Sequence, residues 1–341
     1  MTRPAVALSM YPGLEPFALR PEHLAALGEV ADLLEPVAVQ ALADDRATDV
    51  LARTDVLLGH WGCVVVDEAL LARAPRLRML AYAAGTVRDT VTPAAFGRGL
   101  LVTSGAAANA VPVAEYTVAA ILWANKAAFV ERERLRGVEV PPPRRRHPVG
   151  NWGKRIGLVG ASHVGRAVVG LLRPYRCTVV VADPFLADGE AAALGVARVE
   201  LDELLATSDV VSLHAPALPA TERMIGAEQL ARMMDGATLI NTARGTLVDH
   251  DALLAELRTG RLSAVLDVTD PEPLPADHPL WRAPGSLIVP HVGGNSSAMA
   301  PRAVRLEMRA PTLVVDDMDG LTASSPSARQ HYVVESEIDG P

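Results

Sequence analysis

The stretch RIGLVGASHVGRAVVGLLRPYRCTVVVAD, residues 155–183, decides the fold. Its apolar run Ile156-Gly157-Leu158-Val159 is short and ends on a glycine, so it reads as a strand. The turn Gly160-Ala161-Ser162-His163-Val164-Gly165 then feeds a helical segment from Arg166 to Leu172. A second strand, Thr178 to Ala182, ends at Asp183. A glycine turn leading into a helix aims backbone N–H groups at a pyrophosphate. An acid at the end of the next strand accepts hydrogen bonds from the ribose hydroxyls of an adenosine. Asp183 stands 18 residues after Gly165, inside the window such an acid occupies. Its carboxylate would repel a ribose 2′-phosphate, and the next basic residue is Arg198, so NAD is expected rather than NADP. One position departs from the dinucleotide fingerprint. Ser162 stands where a middle glycine is usual; its hydroxyl can reach a phosphate, while its Cβ limits how closely backbone approaches.

Downstream, three further apolar runs each lead to one polar residue. Leu239-Ile240-Asn241-Thr242-Ala243 leads to Arg244. Ala264 to Val268 precedes the turn Pro271-Glu272-Pro273, and Leu287 to Pro290 closes on His291. The carboxyl ends of strands are where an open parallel sheet places its active site. A cation, a carboxylate and an imidazole suit hydride transfer at the carbon beside a carboxylate. Arg244 can grip a substrate carboxylate bidentately. His291 can give a proton during reduction and take one during oxidation. Glu272 would bond the far ring nitrogen, fix its tautomer and favour the protonated ring. Taken singly, each is more often a surface or capping residue; the cofactor signature upstream joins them into one reading.

These segments resemble the D-isomer-specific 2-hydroxyacid dehydrogenases. The matching motifs are Val113-Ala114-Glu115-Tyr116, the Gly160–Gly165 turn, Val211-Ser212-Leu213-His214-Ala215-Pro216 and Asn241-Thr242-Ala243-Arg244-Gly245. They continue with Leu266-Asp267-Val268, Pro271-Glu272-Pro273 and Pro290-His291, in the family's order from about Met79 to Gly294. The resemblance implies Arg244, Glu272 and His291 as the catalytic set. It implies NAD contacts from Gly160, Ser162, His163, Val164, Gly165, Asp183, His214, Pro216, Thr242, Ala243 and Asp267. Asp267 would face the nicotinamide, or else cap backbone at its strand end. Substrate contacts fall on His60, Trp61, Gly85, Thr86 and Arg244. The Ala84-Gly85-Thr86 loop sits where the family offers N–H groups to the substrate carboxylate, although a plain tight turn is the alternative. Trp61 is apolar where members acting on phosphorylated substrates tend to be basic, which speaks against 3-phosphoglycerate. Arg88, just past Gly85, reads as a second anion site or as a solvent-facing arginine. Corepressors on the same fold supply a different alternative, an NAD(H)-sensing interaction protein. Glu272, where formate oxidation would show a glutamine, speaks against that reaction.

The implied architecture is α/β, with two doubly wound parallel-sheet domains. A Rossmann nucleotide-binding domain with its linking helix, residues 111–293, is inserted into a flavodoxin-like substrate domain. Residues 1–110 form the first part of that domain, and 294–341 return to it and end in a polar tail, with Pro301 and Pro311 interrupting the returning helix. In the first part, Val37–Val39, Val56–Leu58 and Met79–Tyr82 read as strands, and Pro21–Leu34 and Asp67–Ala74 as helices. The apolar stretch Val111–Val130 reads as one linking helix with Pro112 in its first turn, and as the face of a homodimer. Arg132 to His147 reads as an exposed connection.

The 341 residues suit two domains, and half of them are hydrophobic. The formal charge of −8 speaks against nucleic acid or an anionic membrane as partner. Cys63 and Cys177 read as free thiols near strand ends in a reducing compartment, without zinc-ligand spacing, so a cytoplasmic enzyme with no metal is expected. No signal peptide and no uncharged run of about 18 apolar residues is evident.

Overall fold

The computed structural model describes residues 3–137 and 148–294. Within it the chain divides between Asn109 and Ala110 into two compact units. In the first, strands β1 (Ala5–Ser9), β2 (Asp32–Ala38), β3 (Val56–Gly59), β4 (Met79–Tyr82) and β5 (Leu101–Ser104) form one sheet in the order β2-β1-β3-β4-β5. All pairings are parallel. The second unit carries β6 (Arg155–Val159), β7 (Thr178–Ala182), β8 (Ala197–Arg198), β9 (Val210–Leu213), β10 (Thr238–Asn241), β11 (Ser263–Leu266) and β12 (Ser286–Ile288). Their order is β12-β11-β10-β9-β6-β7-β8, again all parallel. Both sheets are doubly wound, as expected. The strand order reverses at β1/β3 in one and at β6/β9 in the other, and ligands of open sheets bind at such switch points.

Parallel sheets covered on both faces need strands that are apolar on both sides. The central strands β9 and β10 are buried at every residue. One face of the second sheet packs Leu204, Leu213, Leu239 and Leu253 into a core; Ile121, Ile156, Leu158 and Val168 pack into another. The first unit likewise has one core around Leu57, Leu71 and Leu80 and a second around Leu8, Leu27 and Leu58.

Several element boundaries differ from those read in the sequence. The first long helix stops at Val30, and Leu33 and Leu34 instead enter β2. The helix read over Asp67–Ala74 spans Glu68–Arg73, with Asp67 outside as its cap through a 2.8 Å bond from the Leu70 N–H; a helix the sequence reading did not include, Asp44–Arg53, precedes it. The linking helix is two helices, Ala106–Asn125 and Ala128–Leu135, broken where Ala127 takes φ 56°. Pro112 lies inside the first of them rather than in its opening turn. Arg132 and Arg134 are helical and paired with Glu133 and Glu131, so the exposed connection starts later than expected. By length and composition Ala106–Asn125 could cross a membrane; Ala114, Val118, Ile121 and Ala124, buried against β6 and its neighbours, account for that apolarity. Both cysteines are free and half-buried. Pro301, Pro311, the expected return of the chain after residue 293 and the polar tail lie outside the described residues, as does most of the connection to His147.

Candidate active site

Arg244, Glu272 and His291 follow three adjoining strands, β10, β11 and β12. Glu272 and His291 meet directly: Glu272 Oε1 lies 2.6 Å from His291 Nδ1. Both side chains are close to half exposed, so the ring is open to a reactant while one of its nitrogens is occupied. Arg244 is exposed, and its guanidinium donates to the carbonyl of Ala243 at 2.7 Å.

His291 does not close its strand. β12 ends at Ile288, and His291 sits three residues on, in the left-handed region with φ 52°. Few residues other than glycine adopt this conformation, so it must be held from outside. Asp267 holds it. Its carbonyl accepts the His291 N–H at 2.8 Å. Its carboxylate accepts the Val292 N–H at 2.7 Å and the Gly293 N–H at 3.0 and 3.1 Å. Gly293 is required there, because a Cβ would stand 2.7 Å from Asp267 Oδ2. Asp267 is 1% exposed. Burial raises its carboxyl pKa above the ordinary value, opposed by the Val292 and Gly293 N–H groups and by His291. Asp267 thus caps the loop that carries His291, the strand-end role that the sequence offered beside a nicotinamide contact. Tyr116, whose ring lies against Gly293, has its hydroxyl pKa pushed up to about 12 by burial and then by the Asp267 charge.

A second device joins the Arg244 and Glu272 loops. The Asn241 side chain donates to the Arg244 carbonyl at 2.8 Å and accepts the Ala243 N–H at 3.0 Å, which fixes the turn. Gly245 then lies so close to the next loop that a Cβ would fall 2.0 Å from the Thr269 carbonyl. Thr242 is buried and bonded to Thr117 at 2.9 Å; because the Thr117 hydroxyl already donates to Val113, Thr242 is the donor of that pair.

On the other side of the sheet the glycine turn follows β6. Gly160 has φ 102°, and a Cβ there would lie 2.8 Å from the backbone of His214 and Ala215. A Cβ on Gly165 would lie 2.3 Å from the Gly160 carbonyl. Ser162, by contrast, has ordinary extended backbone and caps the helix His163–Leu172, its hydroxyl accepting the Gly165 N–H at 3.4 Å. That conformation asks for no glycine, and it explains the departure from the fingerprint. The hydroxyl oxygen accepts from the helix, which leaves its own hydrogen to donate toward a phosphate. His214 lies beside this turn. It is buried against the turn, its Nε2 lies 3.0 Å from the Ser212 hydroxyl, and burial lowers its pKa to about 3. A neutral, enclosed ring supports the turn from behind. Pro216 is exposed beyond it, its carbonyl accepting from the Thr221 hydroxyl at 2.6 Å.

In the first unit, His60 and Trp61 follow β3, and Gly85 and Thr86 follow β4. Gly85 is half-buried, Thr86 exposed and Trp61 38% exposed, whereas His60 is buried. Arg88 is exposed.

Residues 118–293 match the family model for the D-isomer specific 2-hydroxyacid dehydrogenase NAD-binding domain, which is more than half of the chain. The chain belongs to the D-isomer specific 2-hydroxyacid dehydrogenases. It is 36% identical to a (S)-sulfolactate dehydrogenase of Chromohalobacter salexigens, over 67% of this chain and 74% of that protein. It is 32% identical to a D-3-phosphoglycerate dehydrogenase of Mycobacterium leprae, over 82% of this chain and 53% of that one. The chain thus spans about half the length of the phosphoglycerate dehydrogenases it matches. A solved D-isomer specific 2-hydroxyacid dehydrogenase of Lactobacillus delbrueckii ssp. bulgaricus, in its NAD-complexed form, shares the fold. Its TM-score is 0.71 at 22% identity, over 88% of this chain and 93% of that one.

The residues of this family's NAD-binding domain fit the dinucleotide here. Asp183 spends one lone pair of each oxygen on backbone, taking the Ala161 N–H at 2.7 Å and the Phe185 N–H at 2.8 Å. Its remaining lone pairs are enough for two ribose hydroxyls. The first-turn N–H groups of the helix His163–Leu172, among them those of His163 and Val164, have no partner within the helix by construction and suit a pyrophosphate. Among the described residues no group of three metal-ligating side chains occurs.

Sequence reasoning missed Asn241, Gly245, Gly293 and Tyr116. Each lies in or beside a quoted motif, and the two glycines carried a usable signal: both stand next to, or two residues from, a proposed catalytic side chain. What they avoid touching is set by segments distant in the chain.

Proposed function

We propose that this protein is an NAD-dependent oxidoreductase interconverting a D-2-hydroxy acid and its 2-keto acid. The observation that carries this reading is the 2.6 Å contact between Glu272 and His291, on the strand ends next to that of Arg244. In the reducing direction NADH supplies the hydride that adds to the keto carbon. His291 delivers the proton to the carbonyl oxygen as that oxygen gains charge, and recovers a proton from solvent afterwards. Glu272 accepts the Nδ1–H, which leaves Nε2 as the proton-carrying atom and steadies the ring as an imidazolium. Arg244, with its donors in a fixed fork, orients the carboxylate beside the reacting carbon. In the oxidising direction each transfer reverses.

We further place the enzyme in the cytoplasm, as a homodimer. Val111 and Trp123 on the helix Ala106–Asn125 are 37% and 58% exposed and provide an apolar contact, which sedimentation would test.

The decisive experiment combines NADH oxidation over a panel of 2-keto acids with the variant His291→Ala. The expected result is turnover with at least one panel member, a loss of about 10²–10⁴-fold in kcat for the variant, and NADH affinity kept. If NADH affinity fell with turnover, His291 would serve the cofactor instead of the proton transfer. Firm NADH binding with no turnover of any member would refute the proposal.

A further inference from the structure

The first sheet reverses its strand order between β1 and β3, so its own ligand crevice opens where those two strands end. Three loops meet along that edge, after β1, β3 and β4, because β3 pairs with both other strands. Residues 10–14, 59–66 and 83–87 carry no charged side chain, with His60 the one group among them that could become a cation. His60 is held neutral by geometry. Its Nδ1 accepts the Trp61 N–H at 2.8 Å, so the ring carries its hydrogen on Nε2, and burial lowers its pKa to about 4. Farther along the last loop, Arg88 and Asp89 are both exposed and of opposite sign.

The crevice wall is aromatic and tightly pinned. The Tyr11 N–H donates to the Trp61 carbonyl at 2.8 Å, which sets these two residues side by side. Gly62, at φ 81°, lets the Tyr11 ring close over the turn, since a Cβ would lie 2.5 Å from that ring. Gln40 donates to the Gly62 carbonyl at 2.6 Å and to the Ser9 hydroxyl at 3.0 Å, and that hydroxyl accepts the Val64 N–H at 3.0 Å. Trp61 meets His60 edge to face, with centroids 4.8 Å apart. Tyr11 and Trp61 nonetheless stay 64% and 38% exposed. Two rigid rings held open in this way offer contact area at little entropic cost.

We infer that this crevice receives the bulky, uncharged side chain of the 2-keto acid, of isobutyl or benzyl type, in place of a second anionic group. The inference rests on the reading above and on the family resemblance, which implies the substrate carboxylate at the Gly85 loop. Neighbouring strands lie about 4.8 Å apart, so a substituent pointing away from the β4 end meets Trp61 at one spacing and Tyr11 at about two. An isobutyl or benzyl group spans that interval. A carboxymethyl, phosphate or sulfonate group would meet the Trp61 and Tyr11 rings and find no cationic side chain among residues 10–14, 59–66 and 83–87. This separates the chain from the substrates that its relatives' names specify, since 3-phosphoglycerate and sulfolactate both carry a second anion.

The test is kcat/KM with NADH for pyruvate, 4-methyl-2-oxopentanoate, phenylpyruvate, oxaloacetate and phosphohydroxypyruvate, together with calorimetric binding of the same acids to the NADH-loaded protein. The branched and aromatic acids are expected to exceed both acids with a second anionic group by at least about tenfold in each readout. Trp61→Arg, at an exposed position, is expected to narrow that ratio by about tenfold or to reverse it. Equal or better use of either acid with a second anionic group by the parent protein, or an unchanged ratio in the variant, overturns the inference while leaving the dehydrogenase reading intact. Preferential binding of the apolar acids without turnover of any acid upholds the inference and removes the dehydrogenase reading. Binding of none overturns both.

Discussion

Gly245→Ala offers the sharpest test of how the site is assembled, because it adds one methyl group at a residue with no proposed chemical role. An alanine Cβ would stand 2.0 Å from the carbonyl carbon and oxygen of Thr269 and 2.6 Å from the Asp270 nitrogen. All three are backbone atoms and cannot swing aside. To restore an ordinary contact of at least 3.4 Å, one loop must retreat by about 1.4 Å. One of these loops carries Arg244 and the other carries Glu272, so either retreat moves a proposed catalytic group. A displacement near 1 Å costs about 100-fold in rate, or about 2.7 kcal/mol of transition-state stabilisation. Overpacking should remove a further 1–3 kcal/mol, roughly, from folding stability. The assay is steady-state kcat and KM on the best keto acid, NADH affinity by fluorescence, and urea unfolding to establish that the variant is folded. Gly170→Ala serves as the control, since a Cβ there meets nothing within 4 Å. A folded Gly245→Ala enzyme with kcat/KM within about threefold of the parent would refute the view that backbone contact between these loops sets the geometry.

Three further outcomes are expected. Lys154 and Asp209 form a 2.8 Å ion pair with side chains only 6% and 8% exposed, and Lys154→Met would take the cation from a buried carboxylate whose other oxygen accepts the Arg155 N–H at 3.0 Å. The expected loss is about 3–5 kcal/mol in urea unfolding, and a loss under about 1 kcal/mol would show that the carboxylate finds other support. Asp183→Ser should weaken NAD binding about tenfold and narrow the preference over NADP, because it removes two hydroxyl acceptors and one negative charge; unchanged cofactor kinetics would place the adenosine elsewhere. Folding lowers the pKa of His214 from 6.5 to about 3, so the unfolded chain takes up that proton first as pH falls. The stability this residue contributes is complete above pH 6.5 and is lost on the way down to about 3, at up to about 1.4 kcal/mol per pH unit. The advantage of the parent over His214→Asn, read from urea midpoints just above pH 6.5 and again near pH 4, should therefore shrink, and a constant difference would refute burial of the neutral ring.

The sequence by itself determined the two doubly wound sheets, because hydropathy and glycine placement record which backbone is buried and which must turn. Strands β4 and β7 fall where their apolar runs lie, and the glycine turn and Asp183 sit within a single strand–helix–strand unit whose spacing is local. The alignment of Arg244, Glu272 and His291 was legible for the same reason: each follows its own apolar run. The tertiary structure decided how those positions are held. A carboxylate in a sequence has no address, and only the fold shows that Asp267 spends its oxygens on the N–H groups of Val292 and Gly293, 25 and 26 residues away. Whether His214 faces a ligand or the interior depends on the glycine turn pressed against it. The break at Ala127 depends on a left-handed φ that alanine gives no sign of. The reason Gly245 is glycine lies in the backbone of Thr269, which hydropathy and local spacing do not record. Local patterns carry the order of the elements; the contacts between distant segments, which set angstrom-scale geometry, exist only once the chain has folded.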